Sequence, residues 1–167
     1  MGLKIKTNRL VIKAITNDYK SSLLKEIGNW EVAKWLSRVN YPYTEKDFND
    51  WLDIVARGDL NLNIFKNNLL VGGVGLSLCE NNFYELGYWI AEKYWGKGYA
   101  TEAVYAFLKF VRNEYDYKNF KASVKLNNTA SIVILEKIGF KIISDAQIYS
   151  LSNKKYVDSK ILILEYE

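Results

Sequence analysis

The chain has 167 residues, 49% of them hydrophobic and 25% charged, and its 23 basic and 19 acidic residues leave a net charge of +4. This length and apolar content predict a single globular domain over residues 1–167 and exclude a disordered chain. The apolar runs are too short to cross a membrane and residues 1–8 are too charged for a signal peptide, so we expect a cytoplasmic protein without a membrane partner.

Two absences narrow the chemistry. The chain contains no His and a single Cys, Cys79. No disulfide can therefore form within the chain, which fits a reducing compartment. His-ligated zinc, Ser-His-Asp hydrolysis and proton transfer by His are excluded, and we predict no metal site. The remaining possibilities are carboxylates, Tyr, Ser, Lys, Cys, backbone groups and a bound cofactor.

The first half of the chain predicts a strand, three helices and three further strands. A Thr44/Asp47 pair resembles a capping box at the start of the third helix. The glycines inside one strand predict a bulge or a close approach of the backbone. Pairs of Asn residues at 67–68 and 81–82 predict tight turns, because Asn tolerates positive φ. The predicted ranges are a strand over 9–15, helices over 19–27, 30–36 and from 45 to Gly58, and strands over 60–66, 69–79 and 83–90.

The second half alternates helices with strands. We predict helices over 100–115 and 128–138, a short strand over 120–124, and a closing antiparallel pair over 140–151 and 156–167. The order β-α-α-α-β-β-β-α-β-α-β-β predicts an α+β fold with a central, twisted, mostly antiparallel sheet flanked by helices.

The segment 85–103, ELGYWIAEKYWGKGYATEA, is the part most directly linked to chemistry. Gly96 and Gly98 carry no side chains, so backbone N–H groups can converge on an anion where a helix begins, and Lys97 adds a positive charge. The spacing matches neither the Walker loop nor the G-x-G-x-x-G dinucleotide fingerprint. On spacing alone, a glycine-rich helix entry without a ligand is an equal alternative.

The same segment resembles motif A of the Gcn5-related N-acetyltransferase (GNAT) superfamily, Q/R-x-x-G-x-G/A, with Trp95 in the first position, Gly98 in the fourth and Ala100 in the sixth. Trp95 departs from the Gln or Arg of the pattern. The wider string GYWI…YWGKGYATEA and the start TNRLVIKAITNDY resemble the branch of the ribosomal-protein N-terminal (RimJ/RimL-like) acetyltransferases. The stretch NNTASIVILEKIGF resembles its motif B, with the N-x-x-S core at Asn128 and Ser131.

The resemblance implies a fold whose sheet is split at an acetyl-CoA site, with acetyl-CoA as the cosubstrate. It implies that strand backbone binds the pantetheine arm, that loop N–H groups hold the pyrophosphate, and that motif B meets the pantetheine and thiol end. The corresponding residues are Tyr88, Trp89 and Ile90 on the strand, Gly96, Lys97, Gly98, Tyr99, Ala100 and Thr101 in the loop, and Asn128 and Ser131 in motif B.

The resemblance assigns fewer residues to catalysis than to cofactor binding. Many members place a Tyr acid on the motif B helix where this chain has Leu135. Ser131 is the substitute we favour for supporting the leaving sulfur; the alternative is a cofactor contact or a helix-start residue. A strand N–H near Ile90 would polarise the acetyl carbonyl.

Glu85 is the favoured general base because it shares a strand face with Gly87 and Trp89 beside the expected thioester. An exposed strand carboxylate without a role is the alternative, and the reaction also has the option of no dedicated base. Tyr99 and Asp158 are weaker candidates. Cys79 could in principle form an acetyl-enzyme, but we expect a buried strand thiol.

The resemblance implies transfer of an acetyl group to a primary amine. The acceptor stays open among a protein N-terminus, a polyamine, an amino acid and an amino sugar. A CoA-binding module without catalysis is one alternative. An RNA- or ribosome-binding module is another, although no recognition signature for nucleic acid is present, and we expect no direct nucleic-acid partner. A monomer and a homodimer are both compatible with the sequence.

Overall fold

The computed structural model describes residues 2–167, and most of its elements follow the hydrophobic pattern of the sequence. The helices are α1 (Lys20–Ile27), α2 (Trp30–Ala33), α3 (Glu45–Ala56), α4 (Tyr99–Tyr115) and α5 (Thr129–Ile138). The strands are β1 (Lys4–Lys6), β2 (Val11–Lys13), β3 (Leu60–Lys66), β4 (Leu69–Leu78), β5 (Tyr84–Ile90), β6 (Asn119–Lys125), β7 (Lys141–Ser150) and β8 (Lys155–Glu165). Within the described residues, no helix is both long and apolar enough to pass through a bilayer.

One sheet of eight strands runs through the molecule in the order β1-β2-β3-β4-β5-β6-β8-β7. Every neighbouring pair is antiparallel except β5 and β6, which are parallel. The turn between β3 and β4 uses Asn67 and Asn68, both at positive φ, as predicted. The predicted α+β fold with a mostly antiparallel sheet is confirmed.

Helices cover both faces of the sheet. The larger hydrophobic cluster packs α4 and α5 against one face, and its fully buried members include Phe107 on α4 and Leu135 on α5. The smaller cluster packs α1 and α3 on the opposite face, around Leu23 and Phe48. Apolar residues at i, i+3, i+4 and i+7 give α3 and α4 the stripes that this burial requires.

The sheet opens in its middle. β5 and β6 share only the register pairs Tyr84 with Phe120 and Glu85 with Lys121, so the strands separate after Glu85. β5 continues as far as Ile90 with β4 as its neighbour. One edge of the second half of β5 therefore faces a gap, which we call the split.

Glycines in β4 let its backbone lie very close to Trp89 of the neighbouring strand β5. A Cβ at Gly72 would lie 2.0 Å from the carbonyl oxygen of Trp89, and a Cβ at Gly73 would lie 2.6 Å from its indole nitrogen. The register between β3 and β4 also shifts between Ile64 and Phe65. The predicted bulge and the predicted close approach are thus both present.

The N-terminal region contains one strand more than predicted. The predicted strand over 9–15 is present as the shorter β2, whereas β1 was not predicted, and a turn in which the Thr7 amide donates to the Leu10 carbonyl at 2.9 Å joins the two. Only Ile5 is buried in β1, so its lysines concealed the strand pattern. The predicted helix over 30–36 also ends earlier, at Ala33.

Candidate functional site

The loop between β5 and α4 exposes backbone donors. Gly96 and Gly98 have φ values of +70° and +77°, a left-handed conformation that glycine adopts without strain. A Cβ on Gly96 would meet no atom within 4 Å, so the space beside the loop is open. The N-terminal end of the 17-residue helix α4 follows at Tyr99. Left-handed backbone followed by a helix N-terminus directs N–H groups at an anion.

Arg9 fixes this loop from the N-terminal segment. Its guanidinium donates to the Lys97 carbonyl at 2.9 Å and to the Glu102 carboxylate at 2.6 Å, and it lies 4.7 Å from the Tyr99 ring centroid. Partial burial favours a higher pKa for Glu102, but hydrogen bonds from Thr7 and Arg9 outweigh it and hold that pKa below its usual value. Glu102 is therefore ionised and orients Arg9 at the loop.

A second cation approaches from β3. The Lys66 ammonium donates to the Tyr99 hydroxyl at 2.7 Å, and this hydrogen bond lowers the pKa of Tyr99. Arg9, Lys66 and Lys97 thus surround the start of α4. The sequence indicated Lys97 alone, because the other two lie far away along the chain; 88 residues separate Arg9 from Lys97.

The backbone of β5 is accessible from the split. The Ala91 amide donates to the Val71 carbonyl of β4 at 2.8 Å, and the direction of backbone groups alternates along a strand. The groups of Trp89 consequently point to β4, and those of Tyr88 and Ile90 point into the split. The Trp95 indole N–H donates a hydrogen bond to the Ile90 carbonyl oxygen at 2.7 Å. The amide of Ile90 and both backbone groups of Tyr88 remain available for a ligand.

Tyr88 and Ser131 meet on the α5 side of the split. Their hydroxyl oxygens lie 2.6 Å apart. Burial raises the pKa of Tyr88 to about 12, and the bond to Ser131 opposes that rise. Asn128 begins α5, and its side-chain oxygen accepts from the Ser131 amide at 3.3 Å. The side chain of Tyr88 was not singled out in the sequence, where only its backbone was assigned a role.

Glu85 lies on the opposite face of β5. One carboxylate oxygen pairs with the Arg38 guanidinium at 2.5 Å, and the other accepts from the Ser123 hydroxyl of β6 at 2.6 Å. Its side chain is 18% exposed. Glu85 is therefore held at the point where the strands separate, and it is not the freely exposed carboxylate of the alternative interpretation.

The other candidate groups are dispersed. Tyr99 lies at the start of α4 with Lys66, and Asp158 lies on β8, where Gln147 donates to it at 3.1 Å. The expectation of a buried strand thiol at Cys79 was wrong: Cys79 follows the end of β4 and is half-buried. Its sulfur lies 3.8 Å from the Glu85 carboxylate. Leu135 is fully buried in the core.

Residues 34–38, which we call the bridging segment, cross the split on the Glu85 face. On one side Arg38 donates to Ser77 of β4 at 3.0 Å and to Glu85 of β5. On the other side the Leu151 amide donates to the Ser37 carbonyl at 2.8 Å, and the Ser152 hydroxyl donates to the Leu36 carbonyl at 2.9 Å. The segment thus ties the two halves of the sheet together where the strands do not.

These features fit a long, flexible anion better than a small one. The side-chain-free loop and the helix N-terminus suit a pyrophosphate, and the open β5 edge continues from the loop toward Ser131. A ligand with a phosphate end and an amide-containing arm, such as CoA, matches donors in both places.

Comparison with known proteins also points to a CoA-dependent acetyltransferase domain. A family model described as "Acetyltransferase (GNAT) domain" matches residues 9–141. A protein named an uncharacterized N-acetyltransferase, p20 of Bacillus licheniformis, is 25% identical over 145 residues, which are 81% of this chain and 80% of p20. Further curated relatives are matched over 28% to 64% of their own length.

Solved structures share the fold. A GNAT-family acetyltransferase from Bacillus anthracis superposes with a TM-score of 0.84 at 23% identity, over 98% of both chains. RimL, a ribosomal L7/L12 α-N-protein acetyltransferase solved in complex with coenzyme A, superposes with a TM-score of 0.83 at 18% identity, also over 98% of both chains.

Proposed function

The chain belongs to the GNAT acetyltransferase family, and from that premise we propose that it transfers the acetyl group of acetyl-CoA to a primary amine, acting as a single cytoplasmic N-acetyltransferase domain. The observation that carries the proposal is the open edge of β5 at Tyr88 and Ile90, which leads from the glycine loop to Ser131. A glycine-rich helix entry without a ligand would need no such edge.

The cofactor half of the proposal assigns a binding role to each donor group. Backbone N–H groups of the loop 96–101 hold the pyrophosphate, with Arg9 and Lys97 supplying positive potential. The Tyr88 backbone holds the pantetheine arm, and Asn128 lies beside it. When bound, acetyl-CoA supplies an acetyl group already activated as a thioester, so the chain has to bind, orient and polarise it.

Three groups serve the reaction in this proposal. The Ile90 amide donates a hydrogen bond to the acetyl carbonyl, where negative charge develops. The Ser131 hydroxyl stabilises the departing sulfur, and Tyr88 donates to Ser131 in turn. Because the pKa of Tyr88 is raised, its hydroxyl remains a neutral donor throughout the physiological pH range.

Glu85 is the proposed base on the other side of the acetyl group. It accepts a proton from the acceptor amine, directly or through a water, because only the neutral amine is nucleophilic. Arg38 and Ser123 position its carboxylate and leave its remaining lone pairs for that proton.

The first acceptor to test is the N-terminal amine of a protein. The support is the shared fold with RimL, whose name states that it acetylates ribosomal L7/L12. Small amines, including amino acids, polyamines and amino sugars, are the second class.

Calorimetry with CoA, followed by release of free thiol from acetyl-CoA with a panel of amines, tests the proposal. The panel contains ribosomal-protein N-terminal peptides, spermidine, amino acids and an aminoglycoside. We expect CoA binding and acceptor-dependent thiol release. Binding of CoA without release by any amine would identify a CoA-binding module, and absence of CoA binding would refute the site assignment.

A further inference from the structure

A pocket lies beside the bridging segment, on the same face of the sheet as Glu85. Its volume is about 420 Å³, within the range of small-molecule sites. Its walls include three aromatic side chains and come from α2, the bridging segment, the end of β6, the β7–β8 turn and β8. We call it the side pocket, and its lining includes Trp30, Trp35, Lys125, Lys155, Tyr156 and Asp158.

Lys125 is the unusual group of the side pocket. It is 7% exposed, and its ammonium donates to the Lys34 carbonyl at 2.5 Å, the Ser150 hydroxyl at 2.8 Å and the Asn153 side-chain oxygen at 2.6 Å. All three partners are neutral. Among residues 2–167, no carboxylate lies within 4.0 Å of its nitrogen. A buried charge without a counter-charge is costly, so Lys125 makes the pocket favourable for an anion.

The remaining charges of the pocket do not cancel this effect. Lys155 adds a second, exposed ammonium, and the Lys34 ammonium is already paired with Glu31 at 2.6 Å. Asp158 is the one carboxylate among the lining residues; the hydrogen bond that Gln147 donates to it at 3.1 Å leaves its charge in place, so Lys125 and Lys155 together exceed it by one positive charge. Burial lowers the pKa of Lys125 to about 8, which leaves its side chain mostly protonated at pH 7.

The side pocket adjoins the proposed reaction centre. Lys125 and Ser123 lie two residues apart on the same face of β6, about 7 Å along the strand. Ser123 holds Glu85. Asn127, which also lines the pocket, immediately precedes the α5 cap Asn128. Glu85 is not among the lining residues of the pocket, but it lies on the same face of the sheet and is held by Ser123, the neighbour of Lys125 on that face.

We propose that the side pocket binds the acceptor, and that the acceptor is a primary amine with a carboxylate a few bonds away and an apolar body that packs between Trp30, Trp35 and Tyr156. This inference rests on the proposed function and names its substrate class. Two sources have this chemistry: the α-carboxylate of a free apolar amino acid, and an acidic side chain near a peptide N-terminus.

Polycations fit the same pocket poorly. Spermidine and aminoglycosides bring several positive charges toward Lys125 and Lys155, and like charges repel strongly where water is partly excluded. Polyamines and amino sugars, two of the acceptor classes that the sequence leaves open, are therefore expected to be poor substrates.

The direct test compares acceptors with and without the carboxylate, with rates expressed per concentration of neutral amine, because amidation of an α-carboxylate also lowers the pKa of the α-amine. Phenylalanine is paired with phenylalanine amide, and a peptide beginning Ser-Asp is paired with one beginning Ser-Asn. Both are measured by thiol release and by calorimetry against the CoA-loaded protein. We expect the carboxylate member of one pair to have about tenfold higher kcat/KM and tighter binding, and spermidine to be the poorest substrate. The pair that shows the preference identifies the source.

Variants test whether the preference for carboxylate acceptors depends on Lys125. Lys125→Met should reduce the preference to less than about twofold, whereas Lys137→Met, on the exposed end of α5, removes the same charge elsewhere and should preserve it. If Lys125→Met fails to fold, Lys155→Gln, at an exposed position, should lower the preference by about two- to threefold.

The outcomes separate the two proposals. If no amine is acetylated, the proposed function fails. If amines are acetylated but wild-type protein treats carboxylate and amide acceptors alike, or prefers spermidine, the side-pocket inference is overturned while the function stands. The inference is equally overturned if Lys125→Met folds and retains the full preference.

Discussion

The Tyr88–Ser131 contact gives the sharpest test of the proposed reaction. If Ser131 donates to the sulfur that carries negative charge, Ser131→Ala removes a hydrogen bond to a charged group, worth about 1.5–3 kcal/mol. That loss corresponds to an increase of about 1–2 units in the pKa of the thiol of bound CoA. Tyr88→Phe removes only a neutral bond to Ser131, at 2.6 Å, and should raise the same pKa by less than about one unit.

Two measurements check these values. Ultraviolet absorbance of the thiolate, followed across pH with saturating CoA, reports the thiol pKa directly. Thiol release gives kcat, which should fall by about 10- to 100-fold for Ser131→Ala and by less than about tenfold for Tyr88→Phe. The KM for acetyl-CoA should change little in either variant, because neither contact holds the pyrophosphate.

A purely structural role for Ser131 would give a different pattern. Ser131 also occupies the first turn of α5, where Asn128 accepts from its amide, and that backbone bond survives the change to Ala. An unchanged thiol pKa in Ser131→Ala, together with an unchanged kcat, would refute the assignment of Ser131 to the leaving sulfur.

Three further predictions concern the base, the loop and the buried lysine. Glu85→Gln should lower kcat/KM by about 10²-fold well below the pKa of the acceptor amine, with a smaller loss near that pKa and unchanged CoA affinity; a pH–rate profile identical to wild type would contradict this role. Gly98→Trp, in a left-handed conformation beside Arg9, should weaken CoA binding by more than about tenfold in calorimetry, whereas Gly58→Trp, at φ +105° beyond α3, should not. The pKa of Lys125 is about 8 in the folded protein and 10.5 in the unfolded chain. Between pH 8 and pH 10.5 the unfolded chain therefore binds more protons than the folded protein. Urea denaturation should therefore show stability rising from pH 8 to 10.5 by at most about 3 kcal/mol, and Lys125→Met should abolish that rise.

Local patterns made the conformation of the glycine loop and much of the fold predictable. The positive φ values of Gly96 and Gly98, the Thr44/Asp47 capping box and the Asn turns are all encoded within a few residues of chain. The helical stripes of α3 and α4 are equally local. Such signals depend on backbone preferences and on the spacing of apolar residues, which a single sequence contains in full.

Contacts between residues far apart along the chain were not predictable, because only the folded structure brings these residues together. Arg9 reaches the loop from the far end of the sheet, and Arg38 reaches Glu85 from the other side of the split. Lys125 gave no signal in the sequence, where a Lys at a strand end looks like a surface residue. Its burial follows from the bridging segment and the β7–β8 turn meeting above it.

The bridging segment has a consequence for how this protein can change. The segment is bonded to Lys125 and to the turn at residues 150–153, and its last residue, Arg38, binds Ser77 and Glu85; among the described residues, none of its hydrogen bonds reaches the glycine loop. Substitutions at residues 34–37 and 150–158 can therefore remodel the side pocket while the loop, the open β5 edge and the Arg38–Glu85 pair keep their geometry. A library confined to these residues is a rational starting point for evolving new acceptor specificities on an unaltered acetyl-CoA site.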